Sequence, residues 1–326
     1  MSTRAAPSNL YAGFVTNLLQ SAAARKLLVL TIVFVLSVSM LTTIVLQTGL
    51  VIQISQFAWF LQIAAALFLL SVWCFARHDD FRLAHAAIIT AVATISLMLC
   101  GLVSNTGLRL KMPVADDRLA AMDAMLGLDM ADAVVLTAQT PWLSDLLAFA
   151  YNWSSLAVVA AIVGLLAFKQ IRRSWELTLT VVVAMQMVAV ISVFFPAKGT
   201  AFFFDLAYLQ GNGIPVGAAV YAGDTFDRFY HGSDLLVGLA DLNGVVVFPS
   251  FHTVLALLAT QALWNGPARI LAVMWTALVI VSTVPMGGHY VVDLAAGVVV
   301  WISAYTVATW AEYGPAGRSA VNSPSG

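Results

Sequence analysis

Eight apolar stretches leave this chain few folds to choose from. They lie near residues 27–52, 57–76, 83–104, 146–168, 176–195, 249–264, 268–286 and 289–310. Each reaches or approaches the ~20 residues that carry a helix across a bilayer. Composition agrees: 61% of the 326 residues are hydrophobic and 10% are charged, against about 25% charged in an average soluble domain. Such a chain cannot clothe itself in a solvated surface. The fold class expected is therefore all-α, a polytopic membrane helical bundle of about eight transmembrane helices. The sixth stretch is short with a polar start, which suits a helix whose mouth lines a cavity. The first is too long for a signal-peptide core and lacks a small-residue cleavage site, so it is expected to stay as an anchor.

A net charge of −1 argues against nucleic acid as a partner. Cys74 and Cys100 both fall inside apolar segments and read as small buried residues, not as a disulfide or a zinc site. Basic residues set the expected orientation. With the N-terminus inside, Arg4, Arg25, Lys26, Arg77, Arg82, Lys169, Arg172, Arg173, Arg269 and Arg318 are cytoplasmic, and Arg109, Lys111, Arg118, Lys198 and Arg228 are outside. That is ten of fifteen inside, with both termini cytoplasmic.

The chain divides into a cytoplasmic lead-in (1–26), a three-helix membrane extension (27–104), an outer loop (105–145), a membrane core (146–310) and a disordered tail (311–326). In the lead-in, Leu10, Phe14, Leu18 and Leu19 form a weak helical stripe. In the first outer loop Leu119, Met122 and Leu126 share one helical face while Asp116 and Asp123 fall elsewhere. That pattern predicts an amphipathic helix roofing the membrane domain. A second outer loop, about 196–247, is glycine-rich and long enough for a lid or recognition role.

The chemistry concentrates in two segments. In Gly287-Gly288-His289-Tyr290-Val291-Val292-Asp293 a histidine and a carboxylate lie four residues apart in a lipid-embedded helix, where ionisable groups are expensive and mark function. Asp293 can fix the imidazole tautomer and leave the other nitrogen of His289 as a nucleophile. The glycine pair is expected to bring backbone amides at the helix start against a ligand. In Phe248-Pro249-Ser250-Phe251-His252-Thr253, His252 stands at a helix start beside Ser250. It is placed to protonate a leaving oxygen or deprotonate an acceptor. Lys198 and Arg228 are candidates to neutralise phosphate oxygens. The bland alternatives are a polar pair that packs helices and a histidine that caps one. Zinc held by His252, His289 and Asp293 is the chemical rival, disfavoured by the lysine and arginine expected in the same pocket. His231 is a weaker candidate, and His78 and His85 read as interface residues.

These segments resemble the second and third signature blocks of the phosphatidic-acid-phosphatase type 2 superfamily, with the spacing Ser282, His289, Asp293 kept. The likeness covers roughly 145–310. It implies a six-helix core and a metal-free, cofactor-free mechanism through a covalent phosphohistidine. In that mechanism His289 is the nucleophile, Asp293 its orienting partner, His252 the general acid and Ser250 a phosphate ligand. The wording of both blocks is closest to the branch containing the inositol phosphorylceramide synthases. Two positions depart from the pattern. Thr283 stands where an arginine is usual, and Phe195-Pro196-Ala197-Lys198 is the best remnant of the first block. The resulting expectation is a lipid phosphotransferase of the bacterial inner membrane, active on the extracytoplasmic face. Its partners would be a phospholipid donor and a lipid or polyol acceptor. The alternatives are a lipid phosphate phosphatase and a non-catalytic transporter or scaffold.

Overall fold

The structure, a computed structural model, describes residues 21–77, 81–242 and 244–315. The lead-in stripe of residues 10–19, His78, Arg4, Arg318 and most of the expected tail lie outside the described residues. Seven of the described helices are long and apolar enough to cross a membrane: α1 (Ala22–Thr48), α2 (Ile54–Arg77), α3 (Phe81–Gly107), α6 (Pro141–Ala167), α7 (Ile171–Phe194), α11 (Arg269–Gly287) and α12 (Val291–Tyr313). Between them lie the short helices α4 (Asp116–Met125), α5 (Met130–Ala138), α8 (Thr200–Phe203) and α9 (Gly223–Tyr230). The eighth expected span is α10 (Phe251–Leu263), of 13 residues. At 1.5 Å per residue it covers about 20 Å of a roughly 30 Å hydrocarbon core.

Local sequence explains the helix ends. Pro141 opens α6 at its first helical position, where a missing N–H costs nothing. Gly49 closes α1 in the left-handed conformation and donates to Val45 O, as glycine does without strain. Polar cross-links set how the helices face one another. Gln186 of α7 donates to the carbonyl and hydroxyl oxygens of Ser96 in α3 at 2.8 and 2.9 Å, and accepts from the Ser37 hydroxyl of α1 at 2.8 Å. Three helices are thus keyed at one buried point, the usual use of polar side chains between membrane helices.

α7 is the axis of the bundle: it is buried along most of its length and packs against α1, α3, α6, α10 and α12. Residues 146–310 contain five membrane-type helices, and α3, touching both α6 and α7, stands beside them as a sixth. The second outer loop is largely built into short elements. Its strand Leu236–Val237 pairs in parallel with Val51–Ile52 between α1 and α2.

The two ends of the bundle differ in charge. One face gathers the starts of α1, α3, α7 and α11 with the ends of α2, α6, α10 and α12. Its described cations are Arg25, Lys26, Arg77, Arg82, Lys169, Arg172, Arg173 and Arg269, against the acids Glu176 and Glu312. The opposite face holds Arg109, Lys111, Arg118, Lys198 and Arg228 against twelve aspartates.

Candidate active site

The site forms where α11 turns back into α12 at the acidic face. Gly288 takes a left-handed conformation and its amide donates to Val284 O, while the His289 amide donates to Thr283 O. This folds His289 into the bundle, where it is 1% exposed. At Gly287 an added Cβ would lie 2.8 Å from His289 Cδ2 and 2.8 Å from Tyr151 Cε2, so the position admits only hydrogen. Asp293, fully buried in the first turn of α12, faces His289 with Nδ1 and Oδ2 3.4 Å apart. That is longer than a settled charge-assisted bond and within the looseness of resting catalytic pairs. The same Oδ2 accepts from the Tyr290 amide at 2.8 Å, and Asp293 Oδ1 has no partner among the described residues.

The second histidine arrives on α10. Ser250 caps this helix, its hydroxyl accepting from the Thr253 amide at 3.3 Å. Its own amide donates to Asp293 O at 3.1 Å, and Gly297 lies so close to Ser250 O that a Cβ would sit at 2.5 Å. The start of α10 is therefore fastened to the first turns of α12. Half-buried His252 stacks on Tyr151 of α6, with ring centroids 3.9 Å apart and planes 20° apart. The His252 and His289 ring centroids are 6.4 Å apart. The two histidines that the sequence singled out share one recess.

Residues 198–200 form a third wall. The Thr200 amide donates to Gly288 O at 2.9 Å, and Gly199, at φ 100°, passes so close that a Cβ would meet that oxygen at 2.7 Å. Buried Asp116 fixes this segment. It accepts from the Lys198 and Gly199 amides, both at 2.8 Å, and from the Tyr290 hydroxyl at 2.9 Å. Burial, and then the Asp116 carboxylate, push the Tyr290 phenol well above its ordinary value, so it stays a donor. Over the recess runs the second outer loop: the Ala219 amide donates to Met286 O at 2.7 Å, and the Tyr221 and Tyr151 hydroxyls are 3.3 Å apart.

The expected basic ligands lie differently. The Lys198 ammonium makes a two-oxygen ion pair with Asp227 at 2.7 and 2.8 Å and sits over the Phe202 ring. Arg228 is bound by Asp241, by Asp234 at 2.9 Å and by Leu236 O at 3.0 Å. It organises the outer loop, and no described contact joins it to either histidine. His231 approaches Asp227 at 4.0 Å and is mostly exposed. His85 accepts from the Trp175 indole at the basic face. Among the described residues, no group of three or more His, Cys, Asp or Glu side chains could hold a metal ion.

Two expectations change. The amides at the α12 start do not face a ligand: Tyr290 gives its N–H to Asp293, and Val291 and Val292 give theirs to Asp123 at 2.8 and 3.0 Å. At α10, by contrast, the described bonds include no acceptor for the Phe251 and His252 amides. The amphipathic helix exists as α4, and the face it buries is shifted toward its aspartates. Asp116, Leu119 and Asp123 are buried, while Met122 and Leu126 are exposed. Five anchored amide and hydroxyl donors outweigh two apolar side chains, since an unmet buried donor costs about 1–3 kcal/mol. Sequence reading thus missed Asp116, Asp123, Tyr151, Tyr221, Tyr290 and Thr200 as parts of the site. The seven-residue separation of Asp116 and Asp123, which puts both on one helix face, was the available signal.

A family model described as the PAP2 superfamily matches residues 117–307. The match begins at α4, so it takes in the clamp helix that the signature blocks alone leave out. No curated protein and no solved structure matches the chain.

Proposed function

The chain belongs to the PAP2 superfamily, and on that premise we propose that it is a membrane-embedded lipid phosphotransferase working through a phosphohistidine. The observation that carries this reading is the 6.4 Å approach of the two imidazoles with Asp293 behind one of them. Attack on phosphorus by one imidazole and protonation of the leaving oxygen by the other require two rings within reach of the same phosphoryl group.

With Asp293 holding the proton on Nδ1, Nε2 of His289 presents its lone pair to phosphorus. The P–N bond forms as the bond to the leaving oxygen breaks, and His252 gives that oxygen its proton. In the return step an acceptor hydroxyl gives its proton to the now neutral His252 and attacks the phosphohistidine, and the P–N bond breaks. The free amides at the α10 start and the Ser250 hydroxyl are suited to the phosphate oxygens. Lys198 joins them once it exchanges Asp227 for the substrate, which answers the missing arginines of the family pattern.

An alcohol acceptor is favoured over water by the enclosure of His289 beneath Ala219–Tyr221, since a sealed recess limits hydrolysis of a reactive intermediate. The donor is a phospholipid, with phosphoinositol transfer as in the inositol phosphorylceramide synthase branch as the specific version. Lipid phosphate hydrolysis by the same residues is the second reading. The excess of Lys and Arg at the opposite face supports a cytoplasmic assignment for that face and an extracytoplasmic site, with both termini inside.

The test uses a donor labelled in its phosphoryl group. An acid-labile, base-stable label is expected on the parent chain and none on His289→Ala, with turnover lost. Undiminished turnover in His289→Ala would sink the proposal. Lipid profiling of cells with and without the protein separates the readings: a missing headgroup species means transfer, and an accumulating phosphorylated lipid means hydrolysis.

A further inference from the structure

Away from the histidines, a cavity of 670 Å³ opens between α1 and α2 over a floor of α3. α1 packs against α3, α7 and α12 and α2 packs against α3, so the groove is a gap between two helices that share a support. On α1 it runs from Ala23 to Phe34, on α2 from Leu61 to Phe75 and on α3 from His85 to Ile95. At 1.5 Å per residue those stretches measure about 15–21 Å, half to two thirds of a roughly 30 Å hydrocarbon core. The groove therefore lies mainly in one leaflet, that of the basic face, opposite the leaflet nearest the catalytic recess. Its lining is apolar (Leu30, Leu61, Ala64, Phe68 and Val92 among it) over Ala91 of the floor, and apart from Thr31 on α1 its polar groups lie at the mouth as Lys26, His85 and Trp175.

We propose that this groove is a binding site for one anionic phospholipid of the basic-face leaflet, its acyl chain along α3 and its phosphate at Lys26. Three features select that occupant. A depth lying mainly within one leaflet fits a tail entering from the side. A tryptophan and a lysine at the mouth match the headgroup level. Lys26 is also replaceable in its present role. It pairs with Glu312 at 2.8 Å, but Glu312 has a second cation in Arg172 at 3.1 Å. A phosphate can engage Lys26 without stranding that carboxylate. Cations exceed acids on this face even when Asp79 and Asp80, which follow α2 in the sequence, are counted.

Native mass spectrometry of the full chain, with dioleoyl phosphatidylglycerol or dioleoyl phosphatidylcholine added in detergent, tests this. The parent is expected to hold one phosphatidylglycerol in preference to phosphatidylcholine. Ala91→Trp, which fills the groove floor, is expected to lose it. Lys26→Gln should lower the preference about fivefold, the worth of one basic residue at a lipid headgroup. His289→Ala should keep the lipid, so the result is independent of the catalytic reading. Equal retention of the two lipids by the parent, or adducts unchanged in Ala91→Trp, would overturn the site. A dimer lost in Ala91→Trp would instead assign the groove to a second copy. A parent with no adduct of either lipid would leave the groove without this ligand. Either result overturns the lipid.

Discussion

Asp293 has two duties that a single substitution can separate. Its Oδ2 accepts from the Tyr290 amide, which starts α12, and faces the His289 ring. Asparagine keeps an acceptor for the amide but removes the charge that balances an imidazolium and disturbs the tautomer. Asp293→Asn is expected to fold and bind lipid normally while its turnover falls by about 10²–10⁴-fold. Phosphoryl transfer measured beside a thermal melt checks this, and a stable variant with full turnover would remove Asp293 from the chemistry. Gly287 offers a purely steric counterpart. Alanine there meets the rings of His289 and Tyr151, so Gly287→Ala should lower turnover without changing any charge. At this scale the His289–Asp293 pair was legible from its spacing, although His289 stands in the turn before α12 and meets Asp293 across the start of that helix, not along it. The Tyr151–His252 stack was not, because it joins positions about a hundred residues apart through packing alone.

α4 shows what hydropathy can and cannot say about an element. Its existence was readable from Asp117-Arg118-Leu119 onward, and its orientation was not. A stripe of Leu119, Met122 and Leu126 describes where water is disfavoured, yet at the acidic face the governing need is for acceptors. Asp116 and Asp123 meet that need for two different segments, 198–199 and 291–292. Asp123 acts as a cap lent to α12 by another helix, beside the Asp293 carboxylate of α12 itself, which takes the Tyr290 amide. Asp123→Ala is therefore expected to cost about 1–3 kcal/mol by stranding two buried amides, and to loosen the turn that aims His289. Asp123→Asn, which leaves one acceptor oxygen, should recover part of both losses. The check is a denaturation series read together with turnover. Alanine behaving like the parent in both would mean that α4 only covers the site. The seven long spans were plain in the sequence for the opposite reason: within lipid, apolar content and length decide nearly everything.

For the whole molecule the governing asymmetry is between the two faces. Eight described Lys and Arg lie at the end opposite the site and five lie at the site end, although the polypeptide outside the spans is longer there. Only the Lys/Arg bias sets topology, since aspartates contribute little to it. The orientation therefore does not follow from the twelve aspartates of the site face. Those aspartates have a separate consequence: they repel free polyanions, so a phosphate ester reaches His289 more readily along the bilayer than from solution. The orientation fails if the face with the histidines is cytoplasmic, and cysteine labelling decides it. Cys74 is buried and Cys100 half-buried inside membrane helices, so the background is low. Val216 and Met125 project at the site face, 86% and 84% exposed, and Asn265 is exposed in the turn between α10 and α11. A membrane-impermeant maleimide is expected to label Val216→Cys and Met125→Cys in intact cells, and Asn265→Cys only after permeabilisation. The reverse pattern would put the catalytic recess inside the cell. The donor lipid would then be drawn from the cytoplasmic leaflet, and the α1–α2 groove would open to the outer one.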